Sequence, residues 1–310
     1  MTTNADKRSE LDAFINQAND LFSQQEQYLT NTIAINVEQL VSEISDLMSL
    51  PEIYLKIREL MDDPDSCLDD FAVVVNTDIG LVSAVLKLVN SAFFGFAGQI
   101  DNVKRALNLI GIGQLHDLVL SISAVDCLDL SNDIESLNIF WQRSIFCGVI
   151  SKLLAGKLAL PDAESLFVIG LLHEIGRLIL FLKYPEESRL TVHLAKCENR
   201  ALTEVEKSTF GTDYGEIGQA LMAEWGLPVK FQCIIGHQLQ PSKATDYLLE
   251  TSVVHIAHTV AVNKFPGADS FEDMMDPKIL AQLNISEEDI NNLCTEANII
   301  SGEMERLIFG

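Results

Sequence analysis

The 310-residue chain is poor in basic residues: 21 Lys and Arg stand against 45 Asp and Glu, and the formal net charge is −24. A protein that binds duplex nucleic acid normally presents a basic stripe that neutralises phosphates, and the basic residues here are scattered. Anionic membranes are disfavoured for the same reason. We therefore expect neither nucleic acid nor a membrane as a partner. The acidity favours solubility or attraction to a basic protein surface.

Long apolar runs are also lacking. The longest apolar stretch, 166–182, is interrupted by His173, Glu174 and Arg177, whereas a membrane-spanning helix needs about 20 mostly apolar residues. The N-terminus is polar and has no apolar segment typical of a secretory signal. Both observations predict a cytoplasmic protein. The six cysteines form no CxxC pair, so we expect free thiols.

Several catalytic signatures are missing from the sequence. There is no G-x-x-x-x-G-K-S/T phosphate loop, no G-x-G-x-x-G, no H-E-x-x-H and no G-x-S-x-G nucleophile elbow. These absences argue against P-loop nucleotidases, zincin proteases and serine hydrolases of the common types.

Helical periodicity dominates what is present, and Pro (8) and Gly (17) are few. Apolar residues recur at three- and four-residue spacing, and no run of alternating strand-like segments is convincing. The pattern predicts an all-α bundle, a break near 129–135 between two helical lobes, and an acidic loop over 265–284. The predicted helices are 9–29, 31–48, 51–62, 68–76, 78–91, 102–110, 113–128, 133–159, 162–182, 185–199, 203–209, 213–225, 229–239, 245–264 and 285–307.

The segment 170–177, Gly-Leu-Leu-His-Glu-Ile-Gly-Arg, is the most suggestive element. A His followed by an acid in an apolar helix is costly to bury unless both are paired or bound to a metal. His and carboxylate are ligands that divalent metals use. By themselves, His173 and Glu174 favour a hydrogen-bonded core histidine beside an ion-paired glutamate, with a metal site as the alternative.

The block Leu171-Leu172-His173-Glu174-Ile175-Gly176 resembles the His-Asp signature of the HD phosphohydrolase superfamily. Other blocks along 45–262 stand in the order of one branch of it, the HDOD (HD-related output domain) family, which the chain resembles. These blocks are Leu50-Pro51-Glu52, Met61-Asp62-Asp63-Pro64-Asp65, Asn76-Thr77-Asp78-Ile79, Leu88-Val89-Asn90-Ser91-Ala92-Phe93-Phe94-Gly95, Ala106-Leu107-Asn108-Leu109-Ile110-Gly111, Phe140-Trp141 and Glu224-Trp225-Gly226-Leu227-Pro228.

The resemblance implies an all-α, two-lobed helical bundle, with an N-terminal lobe packed on a lobe like that of the HD hydrolases. It divides the chain into an N-terminal helical extension (1–44), the HDOD module (45–262), and an acidic loop with a C-terminal helical extension (263–310). Lobe one is 45–130 and the HD-like lobe is 131–262. The resemblance further implies a bacterial signal-transduction module, regulatory and without demonstrated catalysis as a class.

The resemblance also assigns the positions of the superfamily's metal site. Arg143 stands where a first ligand His often follows the Phe-Trp block. His173 and Glu174 replace the central His-Asp pair. Arginine is cationic at every accessible pH and would repel a metal ion. We expect Arg143 to pair with Glu174, so that a buried ion pair replaces the metal.

The remaining positions of that site are altered as well. Tyr214 stands where a further His is common, and His237 with Gln238 replaces a His-His pair. His258 falls near the closing Asp. We predict a degenerate site with no catalytic residue and no cofactor. If a divalent metal binds, its ligands are His173, Glu174, His237 and His258. His255 and His258 lie three residues apart and either share a metal or serve as surface or core residues.

A second candidate region follows the predicted helix 78–91. Asn90 and Ser91 favour capping of that helix, with a ligand groove as the alternative. The aromatic pair Phe93-Phe94 either closes the core or forms a patch for docking a partner. The amphipathic segment 9–48 predicts a helical hairpin or a contact in a homodimer.

Three functions remain open from the sequence. The first is a regulatory module that binds signalling proteins. The second is a divergent metal-dependent phosphohydrolase acting on a nucleotide or a cyclic dinucleotide. The third is a nucleotide-binding sensor that keeps the old pocket without hydrolysis.

Overall fold

The computed structural model describes residues 33–47, 50–96, 98–127, 134–266 and 277–308. Within these ranges the chain is helical and has no β-strand, as the sequence predicts. The predicted helix 9–29 lies outside the described residues. The first helices are α1 (Val37–Leu47), α2 (Glu52–Asp62), α3 (Leu68–Val75), α4 (Ile79–Val89) and α5 (Val103–Cys127).

The second group of helices begins at residue 134. It comprises α6 (Ile134–Lys157), α7 (Ala163–Leu172), α8 (Ile175–Lys183), α9 (Pro185–Glu198), α10 (Leu202–Phe210), α11 (Tyr214–Glu224), α12 (Val229–His237) and α13 (Leu248–Lys264). Two further helices end the described chain, α14 (Pro277–Leu283) and α15 (Glu287–Ile308). We call α2–α5 the first lobe and α6–α13 the second lobe.

Side-chain caps fix several helix starts. Asp78 accepts a hydrogen bond from the backbone N–H of Leu81 at 2.9 Å, and Asp213 caps α11 in the same way. Cys67 is the N-cap of α3, and its backbone N–H donates to the Asp70 carboxylate. The helix α10 begins at Leu202 without a side-chain cap.

Two segments differ from the prediction. The helix predicted over 162–182 breaks at His173–Glu174, because Glu174 leaves helical geometry (φ −96°, ψ 12°). Part of the loop predicted over 265–284 forms α14. Its Ile279 and Leu283, four residues apart, are buried, and Pro277 occupies the first helical position, where proline is tolerated.

The helix α6 lies at the centre of the second lobe and packs against α7, α13 and α15. The lobes meet where α5 packs on α7, and buried apolar residues of both lobes form one continuous core. The C-terminal helix α15 contacts both α6 and α4. Its Glu303 carboxylate accepts the backbone N–H of Ala92 at 3.0 Å, so α15 ties the lobes together.

Two helical stretches, Val103–Ser123 and Ala163–Lys183, are long and apolar enough to cross a membrane by length and composition. Their most apolar windows are 56% and 83% buried inside the protein, respectively. A third stretch would qualify only if α3 and α4, bent by 118°, were taken as one span. Core packing accounts for the apolar character of Ala163–Lys183, since its neighbours are other helices of the fold.

The close contact of α8 with α11 depends on Gly176. A Cβ atom there would overlap the carbonyl oxygen of Tyr214 and lie 2.7 Å from the backbone nitrogen of Gly218. We expect Gly176→Ala to lower the free energy of unfolding by about 2 kcal/mol, because backbone must move to admit the methyl group. Urea denaturation measures this loss.

Gly156 provides the matched control, since it is exposed on α6 and a Cβ there meets nothing within 4 Å. Gly156→Ala should leave stability unchanged or raise it by about 0.5–1 kcal/mol, as alanine favours helix. Equal effects of the two substitutions would contradict the close contact.

Candidate functional site

His173 and Glu174 lie at the break between α7 and α8, and both side chains are buried. The His173 Nδ1 atom lies 2.6 Å from the carbonyl oxygen of Gly170, one turn earlier. Because a carbonyl only accepts, Nδ1 carries the proton and Nε2 presents its lone pair. Nε2 lies 2.9 Å from Nδ1 of His258, which therefore donates. The helix α13 supplies His258, 85 residues away.

Glu174 is held between two arginines. Its Oε1 atom lies 2.9 Å from Nη1 of Arg177 and 3.5 Å from Nη1 of Arg143. Both guanidinium groups are buried, and Arg143 is among the largest fully buried side chains. The ion pair expected between Arg143 and Glu174 is present. Arg177 was missed as a partner, although its i,i+3 spacing from Glu174 was visible in the sequence.

Burial and charge set the protonation of this cluster. Burial alone would raise the pKa of Glu174, but Arg143 and Arg177 outweigh it and hold the pKa well below its usual range. Burial, aided by the neighbouring His258, lowers the pKa of His173 to about 3. At neutral pH, Glu174 is therefore an anion and His173 is a neutral imidazole.

Gln238, directly after α12, and His255 of α13 are hydrogen-bonded beside the cluster. The Gln238 side-chain amide donates to the carbonyl oxygen of His173. The carbonyl oxygen of Gln238 in turn lies 2.8 Å from Nδ1 of His255, which donates to it. Gln238 thus fixes the α7–α8 break through the backbone of His173. An amide donor is suited to this position, whereas a protonated His would add a third buried cation.

The cluster contains three side chains of types that bind divalent metals. His173, Glu174 and His258 each offer a ligand atom, and these atoms lie within 4.8 Å of one another. Within the described residues, Glu174 Oε2 has no hydrogen-bond partner. However, Glu174 Oε1 already lies against two permanent cations, the guanidinium groups of Arg143 and Arg177. These groups occupy the carboxylate and would repel an incoming ion, so the residues do not fit a divalent metal.

Two predicted site residues lie apart from these ligand atoms. His237 is half-buried on α12, and its Nδ1 donates to the carbonyl oxygen of Cys233 at 2.8 Å, on its own helix. Within the described residues, the group of ligand atoms that lie within 4.8 Å of one another is formed by His173, Glu174 and His258, and His237 is not part of it. A role for His237 as a further ligand stays a prediction. Tyr214 is buried at the start of α11, where its N–H donates to Glu206 Oε2 at 3.0 Å.

The second candidate region serves the structure. Asn90 ends α4; its amide donates to the carbonyl oxygen of Ile100 at 2.7 Å, and its Oδ1 accepts the N–H of Ile100 at 2.7 Å. Ser91 Oγ donates to the carbonyl oxygen of Leu88. The Asn90 amide also donates to the carbonyl oxygen of Leu86 at 2.8 Å, so both Asn90 and Ser91 bond to the last turn of α4, as the capping interpretation predicts. The bonds to Ile100 join two segments of the first lobe.

Phe93 is buried, which favours the first of the two interpretations, that this ring closes the core. Its centroid lies 4.7 Å from that of Phe167 on α7, and Lys152 Nζ lies 3.5 Å above its face. Phe94 is half-buried beside it. The two rings close the contact between the lobes, because apolar faces gain most where they exclude water from both sides.

Comparison with known proteins agrees with this architecture. The chain matches the model of the HDOD domain over residues 47–241. An uncharacterised protein of Treponema pallidum (strain Nichols) is 28% identical over 194 residues, which cover 61% of this chain and 37% of that protein. The chain thus spans well under half of this relative's length.

Solved structures show the same fold. An HDOD domain protein of unknown function from Geobacter sulfurreducens is 21% identical with a TM-score of 0.70, covering 88% of this chain and 98% of that one. A Shewanella amazonensis SB2B protein, named only provisionally as a phosphohydrolase, is 23% identical with a TM-score of 0.65, covering 87% and 97%. The family match extends over more than half of the chain and contains the His173–Glu174 break, and the chain therefore belongs to the HDOD family.

Proposed function

We propose that this chain is a non-catalytic regulatory module of bacterial signal transduction, acting in the cytoplasm through contact with signalling proteins. One observation carries the proposal. At the position where HD hydrolases bind metal, a single carboxylate is paired with two buried arginines, 2.9 and 3.5 Å away. The charge that a metal would supply is thereby provided by fixed guanidinium groups.

Accessibility supports the same conclusion. His173 and Glu174 are at most 1% exposed, and His258 is equally buried. A nucleotide could reach these side chains only after the α7–α8 break and α13 had separated. Metal-assisted hydrolysis also needs an open coordination position for water or substrate. A closed, charge-satisfied cluster supports a structural role for the former metal site.

Metal analysis tests this proposal. Untagged protein purified without chelator should contain less than about a tenth of an equivalent of iron, manganese or zinc, because the cluster lacks the net negative charge that holds such ions. Elemental analysis by plasma mass spectrometry measures the content. In the presence of added Mn²⁺, hydrolysis of bis(p-nitrophenyl) phosphate and of cyclic dinucleotides should not exceed the protein-free rate.

Two variants make the result decisive. His173→Ala removes a candidate ligand, whereas His237→Ala removes a histidine outside the group of His173, Glu174 and His258. About one equivalent of metal in the wild type, lost in His173→Ala and kept in His237→Ala, would overturn the proposal. The grouping of His173, Glu174 and His258 within 4.8 Å favours a metal-dependent phosphohydrolase as the second candidate, and that outcome would support it.

A further inference from the structure

A cavity of about 260 Å³ lies where the first lobe, the second lobe and the C-terminal helix meet. The helix α4 contributes Leu81 and Leu88, α7 contributes Phe167 and Leu171, and α15 contributes Met304. All five of these side chains are buried. Three structural units therefore share one apolar wall, and each would contact a molecule placed inside.

The cavity has a closed end and an open end. Phe167, Leu171 and Met304 are each at most 2% exposed and form the closed end. Asp78 and Gly80, which also line the cavity, are exposed and mark its opening at the first turn of α4. A molecule that enters at Asp78 would place its apolar part against the deep residues.

The polar groups of the cavity are acidic or neutral. Asp78 uses Oδ1 to cap α4, and its Oδ2 receives no hydrogen bond from the described part of the chain. Ser121 donates its hydroxyl to the carbonyl oxygen of Asp117, which leaves the oxygen free to accept. None of the described lining residues is Lys or Arg. A carboxylate at the opening favours a cation and disfavours an anion.

We propose that this cavity binds a small apolar amine, with its hydrocarbon body against Phe167, Leu171 and Met304 and its ammonium group at Asp78. The volume of the cavity limits the size of the ligand. Since a cavity of about 150 Å³ holds benzene, one of 260 Å³ holds about ten non-hydrogen atoms. This volume is too small for a helical peptide or a dinucleotide. The inference does not depend on whether the His173 cluster binds a metal.

Three probes of one shape but different charge test the proposal: 4-phenylbutylamine, 4-phenylbutanol and 4-phenylbutyrate. Binding to the full chain is measured by calorimetry, with dissociation constants of about 0.1–1 mM expected for ligands of this size. The amine should bind about fivefold more tightly than the alcohol, which is the gain expected from one exposed charge contact. The butyrate should bind most weakly.

The position of the bound probe is measured by NMR from the methyl resonance of Met304, in protein labelled at its seven methionines. The Met304→Leu variant assigns this resonance. The Met304 signal should shift on addition of the amine. Asp78→Asn keeps a helix-capping side chain but removes the charge, so the amine should lose its advantage over the alcohol. Ala84→Phe places a ring from half-buried Ala84 into the cavity and should abolish binding of all three probes.

Asp62→Asn, at an exposed acid outside the cavity, is the matched charge control and should change nothing. The proposal is overturned if Met304 does not respond to the amine, if the butyrate binds as tightly as the amine, or if Asp78→Asn behaves like Asp62→Asn. Should Ala84→Phe fail to fold, the comparison of Asp78→Asn with Asp62→Asn decides alone.

Discussion

Replacing Glu174 by glutamine should lower the free energy of unfolding by about 3–5 kcal/mol. The wild-type carboxylate is 1% exposed and lies between the guanidinium groups of Arg143 and Arg177. Glutamine has nearly the same shape, so packing is preserved and only the negative charge is lost. Arg143 and Arg177 then lose the carboxylate that both contact, and neither can lose its proton. Urea denaturation at pH 7 measures the effect.

A surface pair of the same chemistry provides the control. Glu186 and Arg189 form an i,i+3 ion pair at 3.0 Å on α9, with both side chains more than half exposed. Glu186→Gln should cost less than about 0.5 kcal/mol, because water screens and replaces the contact. In the Glu174→Gln background, Arg177→Met should recover part of the lost stability by removing one of the two cations. If Glu174→Gln costs no more than Glu186→Gln, the buried arginines do not depend on Glu174.

Mild acid should destabilise the wild-type protein through His173. Burial and the adjacent His258 lower the pKa of His173 in the fold to about 3, whereas the unfolded chain has a value near 6.5. Between these values the unfolded chain binds the extra proton, so stability rises with pH and is lost as the pH falls from 6.5 toward 3. At about 1.4 kcal/mol per pKa unit, the loss by pH 4.5 is about 3 kcal/mol.

Between pH 6.5 and 4.5, the change in stability reports on His173 and not on Glu174. The pKa of Glu174 is depressed in the fold by Arg143 and Arg177, against the opposing effect of burial. Its contribution is therefore present above the unfolded value near 4.3 and is lost only below it. His173→Gln should make the free energy of unfolding nearly independent of pH between 6.5 and 4.5, whatever its effect on stability at pH 7. His193→Gln, at an exposed position of α9, should leave the dependence of stability on pH intact. An unaltered dependence in His173→Gln would refute the assignment to His173.

Local rules predicted much of the helical framework. Asp78 and Asp213 cap the helices that their positions indicate, since capping depends on side chains within four residues. The predicted separation of 102–110 from 113–128 corresponds to Gly111, whose φ of 82° interrupts helical geometry inside α5. Asn90 likewise ends α4 as expected. These features need no knowledge of distant parts of the chain.

The site was predictable only in part, because it depends on residues far apart in sequence. Family resemblance brought Arg143 and Glu174 together, and opposite charge gave the reason for their pairing. The break at His173–Glu174 was hidden, since α7 is buried on nearly all sides and shows no periodic face whose end would mark the break. His258 reaches His173 from 85 residues away, and nothing local shows that it, and not His237, joins the group of His173 and Glu174.

The hydrogen bond between Ala92 and Glu303 has a consequence for how the protein is made. These residues are 211 positions apart, and Met304 beside Glu303 closes one wall of the cavity. A ribosome adding about 5–20 residues per second needs roughly 10–40 seconds to cover that distance. During translation, the first lobe is thus complete well before α15 leaves the ribosome. In that interval the nascent chain exposes the surface of α4 and α6 that the C-terminal helix later covers.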